Sequence, residues 1–554
     1  MTVTANGSSS SVTSRPEALS VDLAAAGLLP PMPAAFLAGY DLDLLAPLRF
    51  LAPGTLPAAS ALPRAPAGRP ALAESLAVAN RSYGHPRADE LARRLADPST
   101  RVVVAGQQPG LLGGPLLSAV KMIAAARWAA ALEEAGEPAV AVFWVATEDH
   151  DYAEVAAAVV PTAEGVRSFD LGPDLEPLTP VGMRTLGPAV SDLLRELAAA
   201  APGDWNAEWV EQVGRWYRPD ARFGEAFCRL MAHLLGARCP LLLDSMLPAL
   251  KSAERPWLRR LVERRQAVEE ASALRDGQIG DRGFALQVSP QRGASPLFLL
   301  AGGERGERRR IEWRGAEGFA LRGREQETAG GSVQELLRTI DENPGVVSPG
   351  VLARPALQDA VLGTCLQVLG PGELSYLPQA AALYPVIEVE GPLAALRPQA
   401  LILDSRQIER LAKTGLTLAA LLGDRPALDR AQAERSGVDF LAPARRRVEE
   451  TLQGLRGPAL ALDPNLERPW EKTREQVLRA LDLFAEKAVA AAVRRDEVQS
   501  RRIAQLREAC LPLGRPQERV VAVAHFGSRY GPRFAESLWE QMELDPAHLQ
   551  VISP

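Results

Sequence analysis

The sequence predicts an α/β protein built on an open, parallel sheet, enlarged by insertions and followed by a long helical segment. Three observations carry that expectation. Between Arg101 and Tyr152 the chain reads as strand, glycine-rich loop, helix and strand. Short apolar runs ending in turn or charged residues recur further along, and beyond Arg406 the pattern is mostly helical. Strands alternating with helices in this way form parallel sheets with both faces covered.

The first unit sets the rest. Val102 to Ala105 is apolar, as a buried parallel strand requires. Gly106, Gly110, Gly113 and Gly114 punctuate the loop after it, and Pro115 stands where a first helical residue is expected. Leu117, Val120, Ile123 and Ala124 then recur at helical spacing, and Gly136 is placed to end the helix. Ala139 to Ala146 predicts a second strand that opens directly into Glu148-Asp149-His150-Asp151. In such a βαβ unit the loop and the ionisable cluster both lie at carboxyl ends of parallel strands, where open α/β sheets bind ligands.

At 554 residues the chain is too long for one ordinary domain. A net charge of −6 argues against nucleic acid as a partner. No stretch approaches the roughly 18 to 20 apolar residues of a membrane span. Residues 1–20 are Ser/Thr-rich without a signal pattern, which predicts a disordered tail on a cytoplasmic protein. The four cysteines, Cys228, Cys239, Cys365 and Cys510, have no CxxC spacing, so neither a disulfide framework nor a thiolate zinc site is expected. Cys365 alone draws interest, in an apolar run beside a glycine-rich turn. His85 reads as a surface loop residue.

Residues 21–404 are expected to form the core. One insertion, about 155–235, reads as helical, and a second, about 276–335, as β-containing, with strand-like runs FALQVS and PLFLLA. Between them Cys239 to Ser245 predicts another strand, ending at Asp244. Arg308-Arg309-Arg310 is a basic run, usually a solvated face but able to meet an anion. Ala356 to Leu362 reads as helix, Thr364 to Leu369 as strand, and Gly370-Pro371-Gly372-Glu373 as a tight turn placing amides and a carboxylate at a strand end. Val386 to Val389 and Ala400 to Leu403 are further strand candidates. Residues 405–514 form the helical domain. Arg474 to Cys510 lacks Gly and Pro and carries Val477, Leu481, Phe484, Ala488, Ala491 and Val498 as a seam, matched by a helix over Ala444 to Leu455. Such seams bury against each other and against a second subunit. Residues 515–554 are expected to return to the core.

The loop GQQPGLLGGP lacks the Lys-Ser/Thr ending of a P-loop and the G-x-G-x-x-G spacing. Its glycines still permit close approach of an anion to a helix N-terminus. Gln107 and Gln108 offer donors and acceptors, and Lys121 lies within reach of a ligand over the loop. Alternation along an extended chain puts Glu148 and His150 on one side, Asp149 and Asp151 on the other. Metal ligation, acid–base work by His150 with a carboxylate, and binding of an ammonium all suit this cluster.

The stretches VVVAGQQPGLLGGPLLSAVK, VFWVATEDHD, ARPALQD, LGPGELSY, PQERV and RYGPRF, in that order between Val102 and Phe534, resemble the bacillithiol biosynthesis cysteine-adding enzyme (BshC) family. The resemblance implies a Rossmann-like core with connecting-peptide insertions and a coiled-coil domain supporting a homodimer. It also implies a ligase joining the carboxyl of L-cysteine to the amino group of glucosaminyl-malate, the last step of bacillithiol biosynthesis. Matching positions are Gly106, Gln107, Gln108, Gly110, Gly114, Pro115, Lys121, Glu148, Asp149, His150, Asp151, Arg354, Pro355, Gly370, Pro371, Gly372 and Glu373. Val120 departs from the pattern, where a His commonly precedes the helix lysine, and so does Leu377 after Tyr376, where an aromatic is expected. In the mechanism so implied, ATP or another nucleotide activates the carboxyl and the glycine loop holds phosphate. Lys121 offsets charge there, Asp149 or Glu148 holds the cysteine ammonium, His150 takes the amine proton and Arg354 pairs with malate. Two other readings compete. One is a metal-dependent hydrolase or deacetylase of an N-acyl amino sugar, with Asp149 and His150 as ligands; the other is a non-enzymatic coiled-coil scaffold.

Overall fold

A computed structural model describes residues 19–57, 65–201, 203–302, 306–315, 318–323, 327–433, 441–495 and 497–554. The expected N-terminal tail lies outside them up to residue 18. The described chain divides into two units, one formed by Asp22–Ile402 with Arg515–Pro554 and the other by Leu403–Gly514.

The first unit is organised by a six-stranded sheet. In chain order its elements are β1 (Arg49–Phe50), β2 (Arg101–Gln107), helix α1 (Leu117–Glu134), β3 (Ala139–Val145), β4 (Leu241–Asp244), helix α2 (Pro248–Glu263), helix α3 (Arg354–Leu362), β5 (Thr364–Leu369), helix α4 (Pro371–Ala381) and β6 (Leu393–Leu396). The strands are parallel and lie in the order β1-β6-β5-β2-β3-β4. All residues of β3 and β5 are buried, which is why their sequences are continuous apolar runs rather than alternating ones. The chain lays down β2, β3 and β4 toward one edge, then returns to place β5 and β6 on the other side of β2. The switch in direction therefore falls between β2 and β5, the crevice where sheets of this kind bind ligands.

The insertions depart from their predicted form in detail. Residues 155–235 open with an antiparallel hairpin, Ala157–Thr162 against Gly165–Asp170, before the helices Ala189–Ala200, Ala207–Gly214 and Phe223–Leu235. The second insertion is a five-stranded antiparallel sheet, in the order Glu327–Ser332, Gly318–Arg322, Glu307–Arg314, Ala294–Ala301, Val347–Pro349. The run FALQVS is not one of its strands. Val386 to Val389 is not a strand either: a short helix, Leu383–Val386, ends there in a turn closed by Val389 N–H to Tyr384 O, with Glu388 at φ +60. Gly370 to Glu373 begins α4 rather than forming a free turn. Pro371 takes the first helical position and the Glu373 carboxylate accepts the Gly370 N–H at 2.7 Å, satisfying an amide the helix leaves unpaired. In the same unit the strand Gln399–Ile402 pairs in parallel with His548–Ile552.

The second unit is helical. Its long elements are α5 (Leu441–Leu462), α6 (Glu467–Arg495) and α7 (Glu497–Cys510). The helix predicted over Arg474 to Cys510 begins earlier, at Glu467, and its described residues are helical up to Arg495 and again from Glu497 to Cys510. The expected seam is also displaced. Leu478 is buried and Leu481, Ala485 and Ala488 are half-buried, whereas Phe484 and Val498 are each 56% exposed and Ala491 is exposed. Helices α5 and α6 are joined by Trp470 Nε1–H to Leu452 O at 2.9 Å and by Arg445 to Asp482 at 2.7 Å. Among the described residues no helix is long and apolar enough to cross a membrane.

Candidate active site

The glycine loop after β2 is shaped by its own backbone. A Cβ on Gly110 would stand 2.6 Å from the Gly114 Cα. Gly114 itself has φ +65 and ψ −170, a conformation essentially confined to glycine. A Cβ on Gly106 would meet the Trp144 carbonyl on β3 at 3.1 Å. Two of the amides expected to face an anion are engaged within the protein. Gly113 N–H donates to Tyr217 Oη at 3.1 Å and Leu116 N–H to Val521 O at 2.8 Å, while Val523 N–H closes on Gly114 O at 2.9 Å. The C-terminal segment thus covers the start of α1. At Gly106 and Gly110 the missing side chain lets backbone meet backbone, a use of these glycines beside the expected approach of an anion.

A chain of polar contacts runs from the switch point along the carboxyl ends of the strands. Lys121, on the second turn of α1, is buried, and its ammonium reaches Glu373 Oε2 at 2.5 Å, Gly106 O at 2.8 Å and Gln107 Oε1 at 2.9 Å. Gln107 then donates to Gln108 Oε1 at 2.9 Å, and Gln108 to Glu154 at 2.8 Å and Asp149 at 3.4 Å. Burial pushes the Glu373 carboxyl up, but Lys121 and Arg354 outweigh it and hold the group below its ordinary range. Arg354, from the first turn of α3, donates to Gln358 Oε1 and to Tyr376 Oη, both at 3.0 Å. With Gly106, Gln367 and Glu373 these side chains line a cavity of about 10 Å³, room for one water. Behind it Asp359 accepts from Gln367 and Tyr384 at 2.5 Å, and burial pushes its carboxyl up to about 6. Gly372 is exposed on the first turn of α4.

The cluster after β3 is arranged differently from the expected alternation, because the strand ends at Val145 and the chain turns. Glu148 points inward, its Oε2 2.6 Å from Lys251 Nζ on α2. The same ammonium holds Glu254 at 2.9 Å, in a cluster almost sealed from solvent. Asp149 and His150 share a side instead: His150 Nδ1 lies 3.8 Å from Asp149 Oδ1 and 3.2 Å from Arg308 Nη1. Asp151 is exposed just before the short helix Tyr152–Val155. The pair expected as metal ligands therefore meets a guanidinium. Among the described residues no group of three or more His, Cys, Asp and Glu side chains is placed to hold a metal ion.

Lys251, Arg308, Glu154 and Tyr376 were not expected as parts of this site. Arg308 lies 158 residues beyond His150 on an insertion strand, where no spacing rule connects them. Lys251 sits on α2, where no motif in the sequence marks it. Cys365 is buried, and burial pushes its thiol up to about 12, so it is unreactive. His85 is buried rather than on the surface, its Nε2 3.1 Å from the carbonyls of Cys239 and Pro240.

Two family models match the chain, one after the other. Residues 58–398 match the model described as Bacillithiol biosynthesis BshC, N-terminal Rossmann-like domain, and residues 400–552 the model for its C-terminal coiled-coil domain. The chain belongs to the BshC family. Strands β2 to β6 of the parallel sheet lie within the Rossmann-like match, and the helical unit lies within the coiled-coil match, which also takes in residues 515–552 of the first unit. Among relatives, a protein of Salinibacter ruber is 32% identical over 90% of this chain and 91% of its own length. One from Thermus thermophilus is 33% identical over 85% of this chain and 93% of its own, and one from Solibacter usitatus 30% identical over 88% and 90%. All three carry the name "Putative cysteine ligase BshC".

Proposed function

We propose that this chain is a ligase that joins the carboxyl of L-cysteine to the amino group of glucosaminyl-malate, completing bacillithiol. The observation that carries the reading is the continuous polar chain from Glu373 through Lys121, Gln107 and Gln108 to Asp149. It brings together family positions from three separate stretches of sequence along the carboxyl ends of the strands, at the switch point. The near full-length match to relatives named as cysteine ligases supports the same reading. An amide does not form from a free carboxylate and an amine in water without activation, so ATP or another nucleotide is inferred as co-substrate. Arg354 is assigned to a substrate carboxylate, with Asp149 set to receive an ammonium.

The protein is read as cytoplasmic and as a homodimer formed through the helical unit. Incubating the purified chain with L-cysteine, glucosaminyl-malate and ATP should yield bacillithiol by mass spectrometry. In the host, deletion should abolish bacillithiol while glucosaminyl-malate accumulates. Normal thiol levels in the deletion strain would overturn the assignment.

A further inference from the structure

Arg308 stands out from its basic run. Its neighbours Arg309 and Arg310 are half-buried at the insertion's surface, but Arg308 is 6% exposed and aimed at the core. The guanidinium is held on several sides by its own insertion. Nε–H donates to Ser348 Oγ at 2.9 Å and Nη2 to Pro349 O at 2.7 Å, while the Phe298 ring packs against its face at 4.0 Å. The residue's backbone N–H is tied to Leu178 O at 2.8 Å. A side chain fixed this way has little freedom to swing aside. Its remaining arm, Nη1, ends 3.2 Å from His150 Nδ1.

Guanidinium has only donors, so the atom it meets at that distance must accept. Nδ1 therefore carries no proton, which leaves the proton of a neutral imidazole on Nε2. The nearby Asp149 carboxylate does not compete. Asp149 Oδ1 is 3.8 Å from Nδ1, beyond hydrogen-bond reach, and already accepts the His150 backbone N–H at 2.8 Å. The Phe298 ring, 6.0 Å from the imidazole between centroids, flanks both groups.

We propose that Arg308 is a positioning residue that fixes His150 in the Nε2–H tautomer and so removes the ring as acceptor of the substrate's amine proton. The proposal rests on the reading of this loop as part of the ligase site and corrects one role in it. A ring with its proton on Nε2 and Nδ1 occupied by the guanidinium cannot take the amine proton at either nitrogen. The β-sheet insertion thereby supplies part of the active-site architecture rather than an appendage.

Nitrogen-15 NMR of protein labelled at histidine reads the tautomer directly, with His150 assigned among the five histidines by its loss in His150→Gln. Above the imidazole's titration the wild type should show Nε2 protonated and Nδ1 bare. Arg308→Met should give a mixture of tautomers and lower turnover by about 10- to 100-fold with KM little changed. Arg308→Lys, which keeps a cationic donor, should recover part of both. Nδ1 protonated in the wild type overturns the proposal, as does an unaltered tautomer in Arg308→Met. Should Arg308→Met fail to fold, the wild-type spectrum decides alone. An Nε2–H wild type that makes no bacillithiol would sink the ligase reading and leave the Arg308 assignment standing.

Discussion

Lys121 Nζ and Glu373 Oε2 lie 2.5 Å apart across the line where the strand order reverses, tying the helix after β2 to the helix after β5. Gly106 O and Gln107 Oε1 complete the shell of the ammonium. The pair therefore closes the switch point itself.

Lys121→Met should cost about 3–5 kcal/mol in urea unfolding, because it strands a buried carboxylate. Glu373→Gln should cost less, since a neutral amide still accepts from Lys121. The sign with pH is set by the depressed carboxyl of Glu373. Its contribution is present above the unfolded-state value near 4.5 and is lost as pH falls through the lower folded value. Wild type and Glu373→Gln should accordingly converge in strongly acid solution. Equal gaps at pH 3 and pH 7 would contradict this account.

The Glu148–Lys251–Glu254 cluster predicts the opposite slope. Burial, opposed by Lys251 and reinforced by Glu148, pushes the Glu254 carboxyl from 4.5 up to about 7. A folded state that holds this proton longer than the unfolded chain loses stability as pH rises across that window. Glu254→Gln should flatten the dependence of the unfolding free energy between pH 4.5 and 7. An unchanged slope would show that another group holds the proton.

Strands β2 to β5 were legible because burial on both faces leaves runs such as AVAVFWV with little alternative, whereas the short β1 and β6 were not read. The polar chain was only partly so. Its residues cluster at strand ends, which the sequence marks, but their partners depend on which helix crosses which loop. Alternation failed for Glu148 and His150 because it holds only inside a strand, and β3 stops at Val145. The Gly110–Gly114 contact and the reach of Arg308 are tertiary facts without a local signature. On α6 periodicity found an apolar stripe, but two stripes overlap there and the pattern does not say which one faces inward.

Gly110→Ala separates two uses of the glycine loop. The backbone at residue 110, φ −64 and ψ 150, tolerates any side chain, so strain at that residue is not the obstacle. The added methyl would stand 2.6 Å from the Gly114 Cα, and the loop must shift to admit it. A loss of about 1–3 kcal/mol in stability is expected even without ligand. Full stability combined with lost substrate binding would favour the reading in which these glycines admit a ligand.

The helical unit supplies the test of assembly. On α6, Leu478, Leu481, Ala485 and Ala488 follow a 3-4-3 spacing and are the more buried stripe. Val477, Leu481, Phe484, Ala488 and Ala491 follow a 4-3-4-3 spacing beside it, sharing Leu481 and Ala488, and this stripe holds the exposed Phe484. Two apolar stripes on one helix can serve two partners, one within the unit and one on a second copy. Charges introduced as Phe484→Glu with Ala491→Glu should therefore give a monomer by light scattering while helix content and melting within the unit persist. Leu478→Glu should instead unfold the unit, since it places a charge on the inner stripe. A wild type already monomeric at micromolar concentration would remove the dimer, and a doubly charged variant that stays dimeric would move the interface away from Phe484.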